Sequence, residues 1–133
     1  MSEVTLAKVI NAAGAVELIR QQVEKHGEEF VYEKSLFGCK YLSYNENSTP
    51  VGVGCLIGQI MINGGFKTHA ELEEWDDKGD SRASVVLRSD GRFTMGARYV
   101  FRIAQAAQDG GKNWGTCLKE AEAYARDRFP NEI

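Results

Sequence analysis

The 133-residue chain has only two histidines, two prolines and three cysteines, and each shortage narrows the chemistry open to it. The cysteines, Cys39, Cys55 and Cys117, are odd in number, widely spaced and without a CxxC pair. Disulfide frameworks and structural zinc sites usually show paired or closely spaced cysteines, so both are disfavoured. Reduced thiols are predicted instead, as is typical of a cytoplasmic protein. No proline-rich linker divides the chain.

Long apolar runs are lacking as well. A membrane-spanning helix needs roughly 18 or more apolar residues, whereas the longest candidate, CLIGQIMI, is interrupted by Gly58 and Gln59. The N-terminal stretch MSEVTLAKVINAAG carries Glu3, has Lys8 as its early cation and contains no unbroken apolar region, which argues against a signal peptide. The sequence therefore predicts a protein without a membrane segment, located in the cytoplasm.

The chain also lacks a surplus of positive charge. The formal net charge is -3 and the sequence pI is about 5.4, which argues against a broad polyanion-binding face. A helix-turn-helix alternative is weighed because four basic residues lie near one end of the last two predicted helices: Arg92, Arg98, Arg102 and Lys112. Glu120 and Glu122 on the second of these helices would repel phosphate, so nucleic acid is a disfavoured partner. Neither GxxxxGK(S/T) nor GxGxxG after a strand occurs, and no cofactor is predicted.

The residues that are present are typical of one globular domain spanning 1–133, with 43% hydrophobic and 26% charged residues. From Thr5 to about Lys25, apolar residues recur at steps of three and four, which predicts a first helix. EFVYEK and CKYLSYN are rich in aromatic and β-branched residues and are separated by SLFG, which predicts a small hairpin of two strands.

Helix signals dominate the rest of the chain. VGCLIGQIMINGG predicts a short helix that ends at Gly64 or Gly65 and buries four apolar side chains: Leu56, Ile57, Ile60 and Met61. Thr68 and Glu71 form the pattern of a capping box, so another helix should begin there.

Two longer helices are predicted at the end. Thr94 should cap GARYVFRIAQAAQDGG, and Asn113 should open WGTCLKEAEAYARDRF, with a short connection that makes the pair an antiparallel hairpin. The predicted fold class is α+β and mainly helical. A two- or three-stranded antiparallel sheet should pack against about five helices that end in this hairpin.

Cys55 invites two interpretations, because it lies at a predicted helix start, where a thiolate can be stabilised. A catalytic thiol also needs a base, and spacing does not show that His69 comes within reach. Free cysteine is among the most buried residue types, and Gly54 and Gly58 suit close helix packing. We favour a buried thiol and predict no catalytic residue and no metal site.

The stretch AQAAQDGGKNWG offers the candidate binding residues Gln105, Gln108, Asp109 and Trp114. One hypothesis is a structural corner, in which amides and a carboxylate satisfy backbone groups at helix ends while the indole fills the turn. The other is a small polar pocket that holds a ligand by hydrogen bonds and stacking.

Four segments also resemble a family of small uncharacterised proteins encoded by actinobacteriophages and their actinobacterial hosts. The shared patterns are an FVY strand, a cysteine-containing strand, a CLxG helix and a late AQxxQDxGxxWGxAL helical pair. The matching residues are Phe30, Val31, Tyr32, Cys39, Cys55, Leu56, Gly58, Gln105, Gln108, Asp109, Gly111, Trp114, Gly115 and Leu118. The chain departs from the family where Cys117 replaces a small residue and where NENSTPVGVG lengthens a turn. The resemblance implies a phage or prophage origin and carries over no activity.

Together, these patterns predict a non-enzymatic intracellular protein that binds a host or phage protein as a regulator or inhibitor. A homodimer is left open. The alternatives are a small-molecule or nucleotide-binding protein, with weak enzyme activity as an option, and, less favoured, a DNA-binding protein.

Overall fold

The computed structural model describes residues 9–32, 41, 54–77 and 82–133. Within these ranges the chain forms six α-helices and a 3₁₀ turn at Pro130–Glu132. The helices are α1 (Ala12–His26), α2 (Leu56–Asn63), α3 (His69–Asp76), α4 (Ala83–Val86), α5 (Met95–Asp109) and α6 (Trp114–Arg128).

The predicted α+β class is wrong, because the described ranges contain helices and no β-strand or sheet. Their β-type pairing is limited to an isolated parallel bridge between Ile10 and Phe93. The part of the chain that the structure describes is therefore all-α. CKYLSYN, the second predicted strand, lies outside the described residues except for Tyr41.

The first predicted strand, EFVYEK, is described up to Tyr32, and its backbone serves a helix instead of a sheet. The carbonyl oxygen of Phe30 accepts a hydrogen bond from the Trp114 N–H (2.8 Å), at the start of α6. Its aromatic residues fill space between helices, with Tyr32 buried and Phe30 packed on Trp114. The strand predicted from these aromatic and β-branched residues is therefore wrong over its described part.

Five helices begin at side chains that accept a backbone N–H three residues ahead: Asn11, Cys55, Thr68, Thr94 and Asn113. The predicted capping box is confirmed, with reciprocal hydrogen bonds of 2.9 and 3.2 Å between Thr68 and Glu71. The predicted starts of the last two helices are confirmed too. The first helix was predicted to begin at Thr5, but α1 begins at Ala12. Asn11 is its N-cap residue, and the Asn11 side chain accepts a hydrogen bond from the Gly14 N–H (2.9 Å).

The long helices α1, α5 and α6 make most of the helix contacts. α5 and α6 form the predicted antiparallel hairpin across a turn in which Gly111 has a φ of 91°. α1 runs parallel to α5, because the Ile10 N–H donates to the Arg92 carbonyl (2.7 Å) and the Thr94 N–H donates to the Ile10 carbonyl (3.0 Å). Both helices begin at one end of the bundle, where α6 ends.

Glu132 joins these helix starts. Its Oε1 accepts from the Ala12 N–H and from the Thr94 hydroxyl, both at 2.8 Å. Gly96 leaves room for this carboxylate, since a Cβ at that position would force the Glu132 side chain to move. A carboxylate is favourable at this position because helix N-termini carry partial positive charge.

The core lies between α5 and its neighbours, and the predicted burial of four apolar side chains on α2 is confirmed. α5 buries Ala97, Val100, Phe101, Ala104, Ala107 and Gln108. α2 covers it with Leu56, Ile57, Ile60 and Met61, each at most 1% exposed. Burying one such large side chain is worth roughly 1.5–3 kcal/mol, so α2 contributes strongly although it is short.

Candidate functional site

Gln105 and Gln108 lie about one turn apart on α5 and reach the starts of two other helices. Gln108 Oε1 accepts from the Leu56 N–H of α2 at 2.7 Å. Gln105 Oε1 accepts from the Ala83 N–H of α4 at 2.8 Å. Both N–H groups belong to first turns, where no partner exists within the helix itself. The two glutamines are therefore capping groups supplied from a neighbouring helix.

The amide nitrogens of the same glutamines continue the polar contacts. Gln108 Nε2 donates to Asp109 Oδ1, and Gln105 Nε2 donates to the Tyr41 hydroxyl, both at 3.0 Å. The Tyr41 N–H in turn donates to Asp76 Oδ1 at 2.7 Å. Burial raises the pKa of the Tyr41 hydroxyl well above its usual range, so the hydroxyl stays neutral. These contacts tie α3, α4 and α5 to Tyr41.

Gly58 explains how Tyr41 fits against α2. A Cβ on Gly58 would collide with the Tyr41 carbonyl oxygen, so only glycine allows this close approach. The Tyr41 ring packs against Trp75 in a T-shaped arrangement, with 5.1 Å between ring centroids. The predicted role of Gly58 in close packing therefore has a definite neighbour, the backbone at Tyr41.

Trp114 fills the space between the end of α1 and the start of α6. Its ring centroid lies 4.4 Å from that of Phe30 and 5.1 Å from that of His26. The residue is fully buried, and its indole N–H has no hydrogen-bond partner among the described residues. The backbone N–H groups of Trp114 and Gly115 donate to the Phe30 and Glu28 carbonyls, both at 2.8 Å. The indole is thus a packing element, and the start of α6 is already capped.

The four candidate residues therefore divide into two groups. The structure brings Gln105, Gln108 and Asp109 together around the starts of α2 and α4, while Trp114 packs with His26 and Phe30. Gln108 is 2% exposed and Trp114 is 0% exposed. The corner hypothesis predicted that these side chains would bind backbone groups at the helix ends next to the α5–α6 turn. The two glutamines do bind backbone groups at helix ends, but those ends are the starts of α2 and α4.

Cys55 caps α2, where its Sγ accepts from the Gly58 N–H at 3.4 Å. The side chain is 2% exposed, and burial raises its pKa well above the usual range, so the thiol is protonated. A protonated, buried thiol is a poor nucleophile. His69 lies on the exposed surface of α3. Cys39 lies outside the described residues.

Cys117 is also interior. It is fully buried on α6, and burial raises its pKa to about 12. Among the described residues no group of three or more histidine, cysteine, aspartate or glutamate side chains is close enough together to hold a metal ion.

The basic residues of the DNA hypothesis make contacts within the chain. Arg92 binds Asp90 at 2.7 Å and donates to the Phe66 carbonyl at 3.0 Å. Lys112 pairs with Glu120 at 2.6 Å, and Arg98 donates to the Ser84 carbonyl at 3.3 Å. Arg102 lies over a tyrosine ring of its own helix. Side chains engaged in this way would have to give up contacts before binding phosphate.

An open groove runs along α1 and α6. It consists of two adjoining depressions of about 440 and 460 Å³ that share Glu28, Gly115 and Lys119. Its further lining residues are Arg20, Val23, Glu24, Gly27, Glu29, Asn113, Thr116, Leu118 and Glu122. We call this surface the α1–α6 groove. Sequence reasoning missed it, although the polar positions on the two amphipathic helices could have indicated an exposed seam.

Comparison with known proteins gives no match to a family model, to a curated protein or to a solved structure. No helix within the described ranges has the length and apolar character that a membrane crossing would require.

Proposed function

We propose that this chain is a non-enzymatic protein of phage or prophage origin that acts in the cytoplasm by binding a host or phage protein, as a regulator or inhibitor. The observation that carries the proposal is the use of its reactive and polar groups for internal contacts. Cys55 is a buried helix cap, and both Gln105 and Gln108 cap neighbouring helices. These side chains are then unavailable for chemistry on a substrate.

The shape of the surface supports binding to a macromolecule. Small-molecule sites are mostly enclosed and lined by apolar side chains. The α1–α6 groove is instead open, long and edged by charged residues such as Glu28 and Lys119, which is typical of the rim of a protein–protein contact.

The small-molecule alternative needs Gln108, Asp109 and Trp114 to face a ligand. Gln108 and Trp114 are almost completely buried, and the Gln108 amide already uses both its oxygen and its nitrogen. The DNA alternative needs free cations, and Arg92 and Lys112 are paired. The contacts of these residues are all explained by the packing of the folded chain, so they favour neither alternative.

The test is affinity capture from actinobacterial lysate, with an unrelated acidic protein of similar size as the control bait. We expect one protein to be enriched on this chain alone and to bind it in purified form with defined stoichiometry by calorimetry. Native mass spectrometry of the purified chain provides the counter-test. A co-purifying small molecule, together with no enriched protein, would refute the proposal.

A further inference from the structure

We infer that the α1–α6 groove binds a segment of a partner protein that presents a lysine or arginine beside an apolar side chain. This inference rests on the proposed function and adds the location of the contact and the chemistry of the partner. It is drawn from the charges on the rim of the groove and from the apolar residues on its floor.

The rim carries more negative than positive charge. Glu24, Glu28 and Glu29 are exposed, and none of them forms an ion pair with a described residue. Opposite them lies Lys119, likewise exposed and without an ion pair among the described residues. Three carboxylates against one ammonium leave a surplus of two negative charges on this part of the groove.

The other charges of the groove cancel within the chain. Arg20 binds Glu122 at 2.6 Å and Glu17 at 2.7 Å. These contacts raise the pKa of the Arg20 guanidinium, and it stays charged and paired. The pair stands at the end of the groove away from Glu29 and adds no positive field that would offset the three carboxylates.

Next to Glu29 the groove is lined by polar residues such as Asn113 and Thr116. Nearer to Glu24 its floor is apolar, where the half-buried Leu118 from α6 lies beside Val23 from α1, which is only 3% exposed. Gly27 and Gly115 add no side chain to it, and each is required by the fold. Gly27 has a φ of 100°, and a Cβ on Gly115 would come within 2.8 Å of Glu28.

These features select one kind of occupant. A cationic side chain gains from the unpaired carboxylates, and an apolar neighbour gains from burial against Leu118. Nucleic acid would be repelled by Glu24, Glu28 and Glu29. A basic and apolar protein segment fits both the charge and the open length of the groove.

The test uses two short synthetic peptides that form amphipathic helices with the same leucine face, one with lysine and one with glutamate at the polar positions. Binding to the full chain is measured by fluorescence anisotropy. The lysine peptide should bind, and Glu28→Gln combined with Glu29→Gln should weaken it about threefold to tenfold, as expected for two exposed ion pairs. Lys119→Glu should strengthen it. The glutamate peptide should not bind.

The matched control is Glu73→Gln combined with Glu74→Gln, which removes the same charge from exposed positions of α3 outside the groove. It should leave the affinity within about twofold of wild type. Equal weakening by both double variants would show that net charge alone attracts the peptide, and the inference would be wrong. It would also be wrong if the lysine peptide did not bind, or if the wild-type chain formed a dimer that the Glu28→Gln, Glu29→Gln variant dissociated.

The two proposals fail differently. If wild type and the Glu28→Gln, Glu29→Gln variant captured a partner equally well, the proposed function would stand. The inference that the partner binds at the α1–α6 groove would then be wrong. Absence of any captured partner, with the lysine peptide still bound at the groove, would overturn the proposed function alone.

Discussion

Replacing Gln108 with methionine should destabilise the protein without opening a cavity. The two side chains have similar length and volume, so packing within α5 is preserved. What is lost is the oxygen that accepts from the Leu56 N–H at 2.7 Å, together with the amide N–H that donates to the partly exposed Asp109. Leu56 is fully buried, so water cannot replace that acceptor. Leaving one buried donor unsatisfied costs about 1–3 kcal/mol. We expect the free energy of unfolding to fall by about 2 kcal/mol.

The assay is urea unfolding followed by circular dichroism, with the midpoint and slope fitted separately. Gln21→Met is the matched control, because Gln21 is exposed on α1, and it should change stability by less than about 0.5 kcal/mol. If Gln108→Met were as stable as this control, the cap on α2 would contribute nothing, and the structural role given to Gln108 would be wrong. If instead stability held while a bound ligand was lost, Gln108 would be a binding residue.

Three further predictions test other parts of the fold. Gly58→Ala should unfold the protein or cost more than about 3 kcal/mol, because its Cβ would collide with the Tyr41 carbonyl, whereas Gly91→Ala, with open space around it, should be nearly neutral in thermal unfolding. Iodoacetamide labelling at pH 8, mapped by peptide mass spectrometry, should leave Cys55 and Cys117 unmodified until urea is added; rapid labelling of either in the native state would contradict their raised pKa values. Burial lowers the pKa of His26 in the folded protein below its ordinary value of about 6.5. Below that value the unfolded chain binds more protons at His26 than the folded chain does, so stability should fall as the pH drops from about 7 to 5. His26→Phe should remove this loss and His69→Gln should not, as measured by urea midpoints across the pH series.

The helix signals in the sequence were reliable where a local rule decides the outcome. Thr68, Thr94 and Asn113 cap helices as predicted, because each cap depends on residues three positions apart. The buried face of α2 was equally readable, because spacing alone places its apolar residues on one side of the helix.

The failures concern contacts between distant residues. EFVYEK predicted a strand because aromatic residues suit sheets, yet Phe30 packs on Trp114, more than eighty positions away in the sequence. Gln105 and Gln108 were candidates for a corner or a pocket, and no local pattern could show that they reach α4 and α2. The α1–α6 groove was missed for the same reason, since it exists only once the two helices lie side by side.

The contact between Glu132 and Ala12 spans 120 positions along the chain. During synthesis α1 must therefore wait until the 120 residues that lead to Glu132 have been made before its first turn gains this acceptor. Until then its early N–H groups depend on water and on Asn11. Closure by such a distant pair is slow relative to the formation of α5 and α6, which are neighbours in sequence. We therefore expect the α5–α6 hairpin to form early once the chain has left the ribosome. The start of α1 should become ordered later, when Glu132 reaches it.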